Sequence, residues 1–217
     1  MLAFHAIISA YGFWLPNDPR GSWSDFVGSW ELFRYGGDAT KRSTKHSLAR
    51  RPHNTRQRQA TKSYLKHPAV SFTGQQAKSI AAGFRTVADE TGYRILALAM
   101  LPEHTHLVIG HSSRDPSHVI GHLKRGATDH LIDDGLHPCF VNQRITHSCW
   151  AKQAWKVFID TEDQLGRAIK YVQDNPVKEG KPRQHWSFID RYRDLYFADH
   201  SARQAGRLTK SVTSMTC

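Results

Sequence analysis

Two apolar runs with three residues between them constrain this chain most. YRILALAM ends at Met100, Leu101-Pro102-Glu103 makes the connection, and HTHLVIG begins at His104. Runs of strand length joined so closely predict a β-hairpin, and with it an antiparallel pair at the centre of the fold. Helices flank the pair. Thr73-Gly-Gln-Gln76 is a capping box, followed by one helical stripe of Ala77, Ile80, Ala81, Phe84, Val87 and Ala88, with Gly92 as its stop. Asp115-Pro116 opens a second helix, lined by Val119, Ile120, Leu123, Ala127 and Leu131 and ended by Gly135. Thr161-Glu-Asp-Gln164 opens a third. Its end is expected at Asn175, because the residue before Pro176 is pushed out of the helical region. Phe4 to Ala10 and Trp155 to Ile159 read as further strands. Strands interleaved with helices and one hairpin predict an α+β fold, with a mainly antiparallel central sheet flanked by helices.

Between the first strand and the first helix lies a long insertion, about residues 11–70. Its first half is aromatic and turn-rich. Its second half, Lys41 to Lys66, carries nine Lys or Arg and no acid. That segment supplies most of a net charge of +11, at a pI near 9.8. Such a balance favours a polyanionic partner, nucleic acid first and an anionic membrane surface second. Arg50, Arg51, Arg56 and Arg58 are its candidate phosphate contacts, against the alternative of a solvated basic surface. Trp14, Trp23, Trp30 and Tyr35 either stack on unpaired bases or pack the loop onto the body.

No apolar run approaches a membrane span, and the start MLAFHAIISAYGF is short and lacks the basic lead of a signal peptide. Cys139, Cys149 and Cys217 make neither zinc spacing nor a disulfide framework, which fits a reducing cytoplasm. One domain over residues 1–197 and a polar tail over 198–217 are expected.

On a strand, residues two apart share a face. His104, His106 and Val108 therefore point one way, and Thr105, Leu107 and Ile109 the other. Two neutral imidazoles so placed can converge on one cation, or each can serve a local bond. In the last helix, AIKYVQDNPVKEG, the apolar stripe is Leu165, Ala168, Ile169 and Val172. Tyr171 lies about 100° from its centre, with Asn175 one turn on along the same flank. A phenol and an amide at the border of a buried face are half sheltered and still reachable.

HTHLVI resembles the histidine-hydrophobe-histidine (HUH) motif of single-strand nucleases, with Thr105 less apolar than that pattern. YVQDNPVKEG resembles the Tyr-x-x-x-Asn-Pro helix of the small HUH transposases, including the REP-associated tyrosine transposases. The likeness spans roughly residues 73–190 plus the first strand, and the insertion departs from it. The resemblance implies an HUH-nuclease-like sandwich. It also implies a divalent ion, Mg2+ or Mn2+, held by His104, His106 and Asn175, and Tyr171 as a nucleophile forming a 5′-phosphotyrosine. Lys124, Arg125, Lys170 and Lys178 are candidate DNA contacts, and Lys124, Lys170 and Lys178 candidate supports for the phenolate. The implied partner is single-stranded or hairpin DNA, the implied assembly a homodimer, and the implied location the cytoplasm, at the nucleoid. A non-catalytic or domesticated protein binding repeated palindromic elements is the alternative. A metal-stabilised structural protein is a third reading, which leaves the basic run and the tyrosine helix without a role.

Overall fold

The computed structural model describes residues 1–22, 24–42 and 52–189. Trp23, Arg50, Arg51, Cys217 and the expected tail fall outside those ranges.

Chain order is β1 (Ala3–Ala10), α1 (Trp30–Gly36), α2 (Thr55–Lys62), α3 (Gly74–Thr91), β2 (Ile95–Met100), β3 (His104–Gly110), α4 (Pro116–Asp133), β4 (Phe140–Val141), β5 (Arg144–Ile145), β6 (Trp150–Ile159) and α5 (Glu162–Lys178). Four strands form one sheet in the order β2-β3-β1-β6, with every pairing antiparallel. The fold is α+β with an antiparallel sheet, as the hairpin and its helices predict.

The sheet is covered on both sides. Phe4, Ala6 and Ile8 of β1, with Leu107 and Ile109 of β3, bury one face beneath α3 and α4. Ala3, Val108, Leu96, Ala97 and Ile159 bury the other against Leu165, Ile169 and Val172 of α5. Each of those three α5 side chains contributes roughly 1.5–3 kcal/mol of burial, enough to fix that helix on the sheet. The helix pair on the first face approaches closely. A Cβ at Gly83 of α3 would lie 2.5 Å from the Gly126 carbonyl and 2.7 Å from the Ala127 backbone of α4.

The caps form largely where the sequence places them. Thr73 and Gln76 make a complete capping box, and Gly92 ends α3 in the left-handed region at φ +73°. Asp115 caps α4, with Pro116 in its first turn. At α5, the Thr161 side chain accepts from the Gln164 amide, but the Gln164 side chain reaches back one residue further, to the Asp160 N–H.

Two expectations need correction. The last helix does not stop before Pro176 but runs through it to Lys178. Pro176 is buried and sits in the final turn, where Glu179 N–H bonds to the Asn175 and Pro176 carbonyls and Lys181 N–H bonds back to Pro176. The last turn therefore closes around the proline. The strand expected at Trp155 begins at Trp150. The insertion also carries structure that weak periodicity hides, in the short helices α1 and α2, capped by Ser29 and Asn54. No helix among the described residues is long and apolar enough to cross a membrane.

Candidate active site

Alternation along β3 sends His104 and His106 to the α5 face, and α5 brings Tyr171 to meet them. The His104 and His106 ring centres are 4.9 Å apart, and the His106 and Tyr171 rings meet edge-on at 5.7 Å. His106 is 3% exposed and Tyr171 is 39% exposed. The nucleophile candidate is thus open to solvent on one side and backed by buried imidazole on the other. Asn175, one turn along α5, is buried at 5% exposure. Lys178 places its Nζ over the Tyr171 ring, 5.0 Å from the centre.

A third histidine belongs to this cluster. His5 lies on β1 between β3 and β6, and its Nε2 is 3.0 Å from His106 Nδ1. Its ring stacks on His106 at 5.2 Å and meets Tyr171 edge-on at 5.8 Å. Sequence reading passed over His5 because FHAIISA reads as an apolar strand. The signal was available, since a lone imidazole in such a strand must find a buried partner.

The insertion closes the other side. Phe13 stacks on His104 at 4.7 Å, nearly parallel at 11°. Arg20 and Lys62 carry their charges over Phe13, and the Arg20 guanidinium lies 3.8 Å from the Trp14 ring centre. Arg20 is held by both oxygens of buried Asp18, at 2.7 and 2.8 Å.

Electrostatics keep these imidazoles neutral. Burial lowers His5 to a pKa of about 4. Burial, with a smaller push from Arg20, lowers His104 to about 4. His106 is held well below the usual histidine value by burial, then by His104 and His5. Neutral imidazoles retain a lone pair and are competent metal ligands. The Nδ1 of His104 is buried with no hydrogen-bond partner among the described residues. Such an atom costs about 1–3 kcal/mol unless water or an ion satisfies it. Two neutral imidazoles, one with an orphaned nitrogen, and a neighbouring helix bearing a buried amide fit a hard-to-borderline divalent ion. No group of three His, Cys, Asp or Glu side chains among the described residues is disposed to hold a metal.

The other candidates separate. Lys170 pairs with Asp174 at 3.1 Å. Lys124 and Arg125 lie on α4, across the sheet from Tyr171. Lys124 Nζ donates to the Ala151 carbonyl at 2.8 Å, so it is spent on the start of β6. Both line an open cleft of about 630 Å³ with Tyr11, His147 and Lys152. Arg56 and Arg58 are on α2. Of the three lysines expected to support the phenolate, Lys178 alone has its charge placed over the tyrosine ring. Among the insertion aromatics, Trp14 packs inward with its Nε1–H on the Gly21 carbonyl, Tyr35 stacks on Tyr64, and Trp30 is 69% exposed.

Fold and site together define an α+β domain in which paired strand histidines face a tyrosine-bearing helix. No family model matches the chain. A Haemophilus influenzae protein named as a REP-associated tyrosine transposase is 21% identical over 136 residues, covering 60% of this chain and 77% of that protein. The resemblance read from the two motifs is borne out by this relative: the chain is similar to the REP-associated tyrosine transposases of the HUH group. Two solved structures are also alike. A REP-associated tyrosine transposase solved bound to a REP hairpin is 15% identical at a TM-score of 0.45, covering 86% of this chain and 74% of its own. A Deinococcus radiodurans protein solved under the name of transposase is 11% identical at a TM-score of 0.39, covering 80% of this chain and 89% of its own.

Proposed function

We propose that this chain is a DNA-cleaving and rejoining transposase that acts on single-stranded or hairpin DNA through Tyr171. The observation that carries the reading is the convergence of a half-exposed tyrosine, the buried His106, the half-buried His104 and one lysine on a single face of the sheet. The relative's name supports a transposase, and the net charge of +11 supports a polyanionic substrate.

The chemistry follows from the phenol. An unperturbed tyrosine has a pKa near 10 and is a weak nucleophile at neutral pH. Lys178 favours its phenolate form by opposite charge. Tyr171 Oη attacks phosphorus, and the P–O3′ bond breaks. The electron pair leaves on O3′, which takes up a proton to become a free 3′-hydroxyl, and the 5′-phosphate stays esterified to Tyr171. The reverse attack by a 3′-hydroxyl rejoins the strand and returns the phenol, so no nucleotide cofactor is required. His104, His106 and Asn175 are the residues that would hold a divalent ion, magnesium or manganese. When bound, it would supply Lewis-acid polarisation of a non-bridging phosphate oxygen.

The test is a labelled single-stranded hairpin oligonucleotide incubated with the protein and manganese. A covalent protein–DNA adduct is expected from the native chain. Tyr171→Phe should fold, bind DNA and form none, with stability changed by about 1 kcal/mol or less because one border hydroxyl is lost. Binding without an adduct in the native protein would favour the non-catalytic reading. An adduct that survives Tyr171→Phe would move the nucleophile elsewhere, with Tyr192 and Tyr196 next in line.

A further inference from the structure

We propose that His5 is the positioning residue of the site, accepting a hydrogen bond at Nε2 from the Nδ1–H of His106 and so leaving His106 Nε2 as the ring nitrogen with a free lone pair. The inference rests on the reading of His106 as a ligand and extends it to a residue on another strand.

The geometry leaves two arrangements. His5 Nε2 and His106 Nδ1 stand 3.0 Å apart, a hydrogen-bond distance, with both residues buried. Each neutral imidazole carries one N–H, and a 3.0 Å separation between two buried ring nitrogens is a hydrogen bond with a single proton between them. If His5 donates it, His106 must carry its own proton on Nε2 and becomes a donor at the only other ring position. If His106 donates it, Nε2 is an acceptor and can bind a cation. Ligating histidines regularly give their other N–H to a fixed acceptor, which sets the tautomer and the ring plane. His5 is suited to that task. It sits on the central strand, with Ile7 rather than His5 opposite His106 in the β1–β3 register. Its ring is hemmed by Trp155 at 6.1 Å and Tyr171 at 5.8 Å, so the acceptor cannot swing away cheaply.

The first measurement is the tautomer of His106 in the metal-free protein, by long-range nitrogen–proton NMR. Protonated Nδ1 with unprotonated Nε2 is expected in the native chain. In His5→Leu, the signal should move towards a mixture of tautomers. A native His106 protonated at Nε2 overturns the proposal, as does a tautomer unchanged in His5→Leu. The second measurement is manganese affinity by calorimetry. His5→Leu should weaken it by about 10- to 100-fold, the usual effect of losing such a partner. His5→Gln places an amide oxygen at about the reach of Nε2 and should recover part of the loss. Equal affinities in the native protein, His5→Leu and His5→Gln overturn the positioning role while leaving the ligand reading intact. Should the native protein bind no manganese, the ligand reading fails, and a His5-dependent Nδ1–H tautomer still supports His5 as the group that orients His106. If His5→Leu does not fold, the native tautomer and the Gln variant decide.

Discussion

The buried histidines make acid stability a sharp test of the site. His5 and His104 titrate near 4 in the folded protein, against an ordinary value of about 6.5. The folded values are depressed, so the unfolded chain takes up protons first as pH falls. Stability is therefore complete above about pH 6.5 and is lost progressively down to about pH 4. At pH 5, each of these two histidines should cost about 2 kcal/mol relative to neutral pH, or about 4 kcal/mol for the pair. His106, depressed in the same direction, adds to that loss. For a domain of this size, 4 kcal/mol corresponds to a fall of roughly 8–16 °C in melting temperature. The assay is circular-dichroism melting of chelator-treated protein at pH 7.5, 6.5, 5.5 and 5. The control is the double variant His5→Gln, His104→Gln, which has no ring to protonate at either position. His137 and His147, also lowered by burial, titrate alike in both proteins and cancel in the difference. The native protein should lose about 4 kcal/mol more than the double variant between pH 7.5 and 5. Equal losses would refute the claim that these imidazoles are buried neutral.

Three further outcomes are expected. His104→Ala or His106→Ala should remove manganese binding and metal-dependent cleavage while retaining most DNA affinity; unchanged manganese affinity in both, by calorimetry, ends the metal reading. Gly83→Ala should destabilise by about 1–3 kcal/mol or more, because the added methyl meets the backbone of α4 rather than a side chain that can turn aside; a chemical-denaturation midpoint equal to native would contradict the close helix approach. Changing Arg50, Arg51, Arg56 and Arg58 together to Gln should flatten the log–log salt dependence of single-strand binding by about two to three units, since each phosphate contact contributes about 0.7. Equal slopes would remove the basic segment from the interface.

What the sequence made legible was whatever repeats a local rule. The caps at Thr73, Asp115 and Thr161 and the stripes of α3, α4 and α5 each rest on contacts within one turn. The faces of His104, His106 and Val108 follow from strand alternation alone. The parts that escaped depend on partners far along the chain. His5 has meaning only because β1 lies between β3 and β6, which places it against a residue 101 positions away. β6 begins early, at Trp150, but it is an edge strand, and solvent on its open side lets Lys152 and Gln153 interrupt the apolar pattern. Pro176 stays helical because the final turn is closed by residues beyond it. α1 and α2 have seven and eight residues, too short for periodicity to stand out.

The insertion is the clearest case of tertiary structure giving purpose to a stretch without pattern. Its aromatic start does more than pack a loop. Phe13 covers His104, and Arg20 sits over Phe13 and Trp14, neutralised by Asp18. Breaking that pair by removing one partner would leave an uncompensated buried charge, which typically costs 3–5 kcal/mol. The pair also has an electrostatic consequence. Arg20 works in the same direction as burial to keep His104 uncharged, the state in which an imidazole keeps its lone pair for a cation. On the far side of the cluster, Lys178 holds its charge 5.0 Å from the Tyr171 ring centre, where the proposed mechanism would use it in the opposite sense, to favour the anion over the neutral phenol. Cations thus stand at both ends of one row of rings. In the proposed reaction, the cation at one end would preserve neutral ligands and the cation at the other would promote a charged nucleophile, which is the division of labour that metal-assisted attack on a phosphodiester requires.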